Sequence, residues 1–199
     1  DAVLMTVKYV VREANIKKED IKLISFSAQM HSLIALDAQH HRLTESITWA
    51  DNRASKYAKL INKEYYGSDI YQRTGTPIHP MSPLSKIFWM KHEQSDIYKQ
   101  TAMFADIKTY IFYQLFEKYV IDYSMASATG MFNLEKLDWD KEALELLGIT
   151  EAQLPQLVPT THILKGMKKR YATLMGIDEN TPIIVGASDG VLSNLGVNS

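Results

Sequence analysis

The sequence predicts an α/β fold, and three observations carry that prediction. Short runs of β-branched and aliphatic residues alternate along the chain with segments whose apolar residues recur at helical spacing. The last apolar run, Pro182-Ile183-Ile184-Val185-Gly186-Ala187-Ser188, stops at small residues and passes straight into Asp189-Gly190. That is the pattern of a buried strand delivering a carboxylate to a crevice at its C-terminal end. Finally, no repeat, low-complexity segment or linker interrupts the alternation, so one domain is expected rather than two.

The elements follow in order. Val3, Val7, Val10, Val11 and Ala14 predict an amphipathic helix over about 2–14. Lys17 to Asp20 is a polar connector. Ile21 to Ser27 and Leu33 to Leu36 read as strands, separated from a third, Ile47 to Trp49, by the polar turn Asp37 to Arg42. Ala54, Tyr57, Ala58, Ile61 and Tyr65 mark a helix face, with Asp51 or Asn52 as its N-cap. Gly67 to Pro80, rich in Gly, Thr and Pro, reads as a loop. Ser82-Pro83 then opens a helix with Ser as N-cap and Pro at its first position, and Leu84, Ile87, Phe88 and Lys91 share one face. A strand at Ala102 to Phe104 leads into a helix from about Asp106 to Phe116. A helix from Asp140 to Leu147 is stopped by Gly148, Pro155 and Pro159 mark a loop, and residues 168–175 form a short helix before the last strand. Val191 to Leu195 starts a helix whose N-terminal amides would lie beside Asp189.

Composition excludes several classes. With 22 basic and 23 acidic residues the net charge is −1, so no basic excess exists to neutralise a nucleic-acid backbone. Lys168-Lys169-Arg170, the densest basic run, reads as a solvated helix start. There is no cysteine, hence no disulfide framework, which is compatible with a cytoplasmic setting. No stretch reaches the roughly 18 apolar residues of a membrane span, and no signal peptide is visible. The chain opens without Met and is expected to be an internal piece of a longer protein.

Four segments concentrate polar groups at strand or helix ends. In Ser27-Ala28-Gln29-Met30-His31-Ser32, Gln29 offers donor and acceptor, His31 either, and Met30 an apolar surface. That mixture suits a polyol, although a turn with a satisfied His is the plainer reading. Trp49-Ala50-Asp51-Asn52-Arg53 would wall a sugar site or simply pack a Trp and cap a helix. Met81 to Met90 carries Lys86 and Trp89, ordinarily a surface Lys and a core Trp. The fourth is the Asp189 turn, where a lone carboxylate is a candidate general base or a structural cap. The phosphate loop Gly-x-x-x-x-Gly-Lys-Ser/Thr, Gly-x-Gly-x-x-Gly, His-Glu-x-x-His and the Gly-x-Ser-x-Gly elbow are all missing, and the six histidines lack zinc spacing.

In this order, from about Ile21 to Gly196, the segments resemble the FGGY family of carbohydrate kinases. Met81-Ser82-Pro83-Leu84-Ser85-Lys86-Ile87-Phe88-Trp89-Met90 is similar to the family's first signature, with His92 slightly off pattern and Glu93 fitting it. Gln29-Met30-His31 resembles the sugar-contacting segment of the pentulose and gluconate kinases; the glycerol kinases carry Arg-Glu in place of Met30-His31. Asp106 to Ile111 and Asp122 to Ser127 also look like family segments, and Asp189-Gly190 falls where the family places its catalytic Asp. Ser32 and Gly190 are most similar to the gluconate-phosphorylating branch, since xylulose kinases tend to carry Gly and Asn at these places.

The resemblance implies a ribonuclease H-like domain of the actin-like ATPase superfamily, a mixed sheet with flanking helices. It implies transfer of the ATP γ-phosphoryl group, with Mg2+, to a hydroxyl of a sugar or sugar acid, D-gluconate above others. Asp189 would be the base. Gln29, Met30, His31, Trp49, Met81 and Gly190 would shape the sugar site, with Asp51 and Arg53 beside them and Arg53, Lys86 or His79 as partners for a gluconate carboxylate. Residues 1–199 would be most of the N-terminal, sugar-binding domain. The family's Asp-Gly-Thr phosphate hairpin has no match here, and the ATP-binding domain would lie beyond Ser199, so this piece alone is expected not to turn over ATP efficiently. A homodimer is compatible with the resemblance. The alternatives are a pentulose kinase, a non-catalytic polyol-binding module of the same fold, and a metal-assisted hydrolase using Asp189, which would need a second carboxylate.

Overall fold

A computed structural model describes residues 1–197. In chain order it contains α1 (Ala2–Glu13), β1 (Ile24–Ala28), β2 (Ile34–Leu36), α2 (Ser55–Glu64), α3 (Gly67–Thr74), α4 (Pro83–Glu93), α5 (Ser95–Gln100), β3 (Met103–Ala105), α6 (Ile107–Phe116), β4 (Val120–Asp122) and α7 (Tyr123–Ser127). Next come β5 (Phe132–Asn133), β6 (Asp138–Trp139), α8 (Lys141–Leu147), β7 (Gln156–Val158), β8 (Ile163–Leu164), α9 (Lys169–Met175), β9 (Ile183–Ser188) and α10 (Asp189–Gly196). The α/β expectation holds. β9 is the middle strand of a mixed sheet, parallel to β1 and antiparallel to β8, while β2–β3, β4–β7 and β5–β6 form two-stranded pairs.

Local chemistry explains the element ends. Asp106 is the N-cap of α6, accepting from the Lys108 and Thr109 N–H groups, and Asp140 caps α8 through the Ala143 N–H. Gly148 and Gly176 close α8 and α9 in the left-handed conformation that costs glycine nothing. Lys168-Lys169-Arg170 does form a solvated helix start.

Two large apolar clusters, with a small one of Ile34, Leu36 and Ala105, hold the molecule together. One surrounds α4 and includes Leu84, Ile87, Phe88, Tyr57, Ile61, Met125 and Leu147. The other packs α6, α9 and α1 onto β9 through Phe112, Met175, Val11, Ile183 and Val185. Each fully buried aliphatic contributes roughly 1.5–3 kcal/mol, so the second of these clusters, which holds Ile183 and Val185, anchors β9.

Several expectations need correction. Gly67 to Pro80 is not all loop: α3 forms because Ile70 and Thr74 are buried, Thr74 Oγ1 donates to the Ile70 carbonyl, and Gly75 ends the helix at φ +68°. Ile47 makes a single bridge to Leu33 rather than a strand. Neither Asp51 nor Asn52 caps α2, whose N-cap is Ala54. Ser82 does occupy the N-cap of α4 with Pro83 at the first turn, but its hydroxyl donates to the His79 carbonyl instead of accepting from the helix. β1 starts at Ile24, three residues late; β7 forms inside the expected loop between Pro155 and Pro159 by pairing with β4; and no expectation covers α5, β4, α7, β5, β6 or β8.

Candidate functional site

The site begins with two parallel strands that end together. β1 and β9 are in register at Ala28 and Ser188, so the chain leaves β1 as Gln29-Met30-His31 beside the point where it leaves β9 as Asp189-Gly190. The turns touch: a Cβ on residue 190 would lie 3.0 Å from Met30 Cε. Gly186 bends β9 just before this point. Its φ is +70°, and a Cβ there would sit 1.9 Å from the Phe26 carbonyl oxygen. This is a bulge, matched by the register shift between Ser25 and Ser27, and it re-aims the strand end.

His31 occupies the left-handed region at φ +66°, an uncommon place for a residue with a side chain. Its Nδ1 lies 2.9 Å from the Ala128 carbonyl, which can only accept, so Nδ1 carries the proton and Nε2 of the neutral ring is an acceptor. Burial holds the imidazole below its ordinary pKa; the Ala128 hydrogen bond and the Asp189 charge oppose that, and Lys86 and His79 add to it. Asp189 is exposed at the start of α10, where helix amides favour an anion. Its Oδ1 accepts the Gly190 N–H at 2.8 Å.

Lys86 corrects the surface reading. It is fully buried (0% exposed), with Nζ 2.5 Å from the His31 carbonyl, 2.8 Å from that of Thr48 and 3.3 Å from that of Ile47. The ammonium thus ties the Gln29–His31 turn to the segment carrying Trp49 and Asp51. Burial draws its pKa down to about 8, with Asp51 opposing and Arg53 reinforcing the shift. Trp89 is only partly buried, its ring 5.1 Å from the Arg53 guanidinium. Asp51 pairs with Arg53, which holds the carboxyl below its usual range. Two of the three candidate carboxylate partners, Lys86 and Arg53, are therefore engaged within the protein. Trp49 is 56% exposed in a turn. Met81 is half-buried, its N–H donating to His79 Nδ1, which leaves the proton of a neutral His79 on Nε2.

Asp189, Gly190, Gln29, Met30 and His31 thus converge, and Trp49, Asp51 and Arg53 join them through Lys86. Sequence reasoning marks the segments Asp106 to Ile111 and Asp122 to Ser127 as family-like but gives no role to the groups beneath: Lys108, Asp122 and Ser124. The signal was present in Val120-Ile121-Asp122-Tyr123-Ser124, an apolar run ending in an N-cap Asp. A cavity of about 610 Å³ lies elsewhere in the chain, lined by His40, Arg42, Tyr110 and Gln114 among others, and contains none of the candidate site residues. Among the described residues no three metal-ligating side chains converge, and no helix is long and apolar enough to cross a membrane.

Comparison with known proteins identifies the family. The model of the "FGGY family of carbohydrate kinases, N-terminal domain" matches residues 1–196. Gluconokinase of Bacillus subtilis (strain 168) is 56% identical over 179 residues, covering 90% of this chain and 35% of that protein. Among solved structures, a gluconate kinase from Lactobacillus acidophilus superposes with a TM-score of 0.95 at 41% identity, covering 100% of this chain and 40% of that one. A ligand-bound xylulose kinase from the same organism gives the same values. The chain spans about a third of the length of the curated relatives it matches.

Proposed function

Since the chain belongs to the FGGY family of carbohydrate kinases, we propose that it is the sugar-binding N-terminal domain of a longer, cytoplasmic kinase that phosphorylates D-gluconate. The fold reading that goes with this is the ribonuclease H-like domain of the actin-like ATPases. One observation carries the proposal: the Asp189 turn and the Gln29–His31 turn leave neighbouring parallel strands at the same end, in register at Ala28 and Ser188. A carboxylate able to take a proton stands beside groups suited to hydroxyls and C–H surface.

In this reading the terminal hydroxyl of the sugar acid lies against Asp189. As its oxygen bonds to the γ-phosphorus and the bridging P–O bond to ADP breaks, the proton passes to the Asp189 carboxylate. Oδ1 already accepts the Gly190 N–H, which leaves Oδ2 the more basic oxygen for the proton. His31 Nε2 takes a substrate hydroxyl proton in a hydrogen bond, Gln29 completes the polar contacts, and Met30 packs on carbon. A positioned base contributes about 10²–10⁴-fold, while most of phosphoryl transfer is orientation and charge stabilisation. ATP and Mg2+ are assigned to the remainder of the longer protein: the sequence carries no phosphate-loop motif, and among the described residues no three metal-ligating side chains converge.

Gluconate is favoured by the 56% identity to a gluconokinase; a xylulose kinase is the second reading, supported by the equal superposition on such an enzyme. A coupled kinase assay of the full-length protein on gluconate, xylulose, ribulose and glycerol decides between them. Asp189→Asn should lower gluconate turnover by about 10²-fold or more with KM nearly unchanged. Unchanged turnover would remove Asp189 as the base, and higher kcat/KM on xylulose would replace the substrate.

A further inference from the structure

Beneath the Asp189 turn lies a buried ion pair that the reaction as described does not use. Lys108, in the first turn of α6, and Asp122, at the end of β4, are 1% and 0% exposed, and Nζ stands 2.5 Å from Oδ2. The other carboxylate oxygen, Oδ1, accepts from the Ser124 hydroxyl at 2.5 Å and from the N–H groups of Ser124 and Met125. The network then reaches β9 at two points. Lys108 Nζ is 3.4 Å from the Ala187 carbonyl, and Ser124 Oγ accepts the Ser188 N–H at 2.9 Å. Those two groups are the opposite ends of one peptide, the one directly before Ser188-Asp189.

We propose that Lys108, Asp122 and Ser124 form a positioning device for Asp189, gripping the Ala187–Ser188 peptide at its carbonyl and its N–H so that the carboxylate is aimed at the substrate hydroxyl. This rests on the reading of Asp189 as the base. A buried ion pair is weak evidence for stability in itself, because its desolvation offsets much of its attraction. This one is tied to β9 at both ends of a single peptide. Its ammonium is shared between a carboxylate and a carbonyl, and the Ser124 hydroxyl donates to Asp122 while accepting from β9. The bulge at Gly186 shifts the β1–β9 register two residues before Ser188, and pairing resumes at Ala187 and Ser188. The side-chain contacts to the Ala187–Ser188 peptide add to that pairing at the strand end. Small errors there matter, since about 1 Å of misplacement of reacting groups costs up to 10²-fold in rate.

The test uses the full-length protein with gluconate and ATP. Ser124→Ala removes the grip on the Ser188 N–H and leaves the Lys108–Asp122 pair in place. It should lower kcat roughly 10- to 100-fold with both KM values within twofold, speed amide exchange at Ser188, and be rescued by Ser124→Thr, which restores the hydroxyl. A merely structural Ser124 would instead lower Tm with kcat unchanged, and that result overturns the proposal. If Ser124→Ala does not fold, Ser124→Cys, a weak acceptor of similar size, must show the same kcat-selective loss or the proposal fails. Asp189→Asn runs alongside. Full turnover by that variant defeats the base reading itself, whereas a dead Asp189→Asn beside a fully active Ser124→Ala defeats only the positioning role.

Discussion

Met30 and Gly190 close on one another across the ends of β1 and β9, with 3.0 Å between Met30 Cε and the place a Cβ on residue 190 would occupy. The Gln29–His31 turn and the Asp189 turn are therefore one surface, and the missing side chain at 190 sets how near Met30 comes to the base. Gly190→Ala displaces only the flexible end of Met30, and alanine is the better helix former, so folding should be nearly unaffected. Gluconate KM is expected to rise roughly 10-fold, the lower end of what one methylene is worth in a fitted pocket. Steady-state kinetics with a parallel thermal melt checks this; an unchanged KM would detach Met30 from the sugar.

Lys86 makes a pH-dependent prediction. Below pH 8 its ammonium has three N–H donors for the carbonyls of His31, Ile47 and Thr48. Burial brings the pKa down to about 8, and the neutral amine above it has two, so one carbonyl loses its donor and gluconate KM should climb as pH passes 8. Stability runs the other way. Between about 8 and the ordinary lysine range the unfolded chain binds a proton that the native state has released, so the Lys86 contribution to the unfolding free energy grows with pH in that window. Lys86→Met should lower Tm, since each stranded carbonyl costs roughly 1–3 kcal/mol. It should also raise KM at pH 7 and flatten the alkaline climb. An alkaline climb that survives in Lys86→Met assigns the titration to another group.

How much of this was legible depends on whether the decisive signal is local. Asp189 could be read because strand, small residues, carboxylate and helix start are contiguous, and each obeys short-range rules. The same holds for Pro83 at the start of α4 and Gly148 at the end of α8. Lys86 could not be read in this way. Carbonyls from two segments far apart in sequence, His31 and Ile47–Thr48, enclose its ammonium, and lysine on a helix is ordinarily solvated. Ser124 failed for a related reason: its hydroxyl matters through Ser188, 64 positions away. α3 was hidden because Gly67, Thr74 and Gly75 look like loop residues until Ile70 and Thr74 find a core to enter. The family resemblance supplied the order of the segments; only the folded chain could supply their distances.

Gly186 separates backbone strain from aim. Gly186 and Gly166 both have positive φ, +70° and +74°, but a Cβ on Gly166 meets nothing within 4 Å, whereas one on Gly186 meets the Phe26 carbonyl oxygen at 1.9 Å and its carbon at 2.9 Å. Gly166→Ala should therefore cost only the left-handed conformation, about 1–2 kcal/mol, with kcat and KM untouched. Gly186→Ala carries that cost plus a clash with backbone that cannot rotate away, for a total of about 3 kcal/mol or more. Relief requires β1 and β9 to part where their register already shifts, between Ser25 and Ser27. That movement carries Ser188 away from Ser124 and turns Asp189, so the folded fraction of Gly186→Ala should also lose kcat. Urea unfolding gives the stability of both variants, and turnover corrected for the folded fraction gives the aim. If Gly186→Ala matched Gly166→Ala in both measurements, the bulge would have no part in directing the carboxylate.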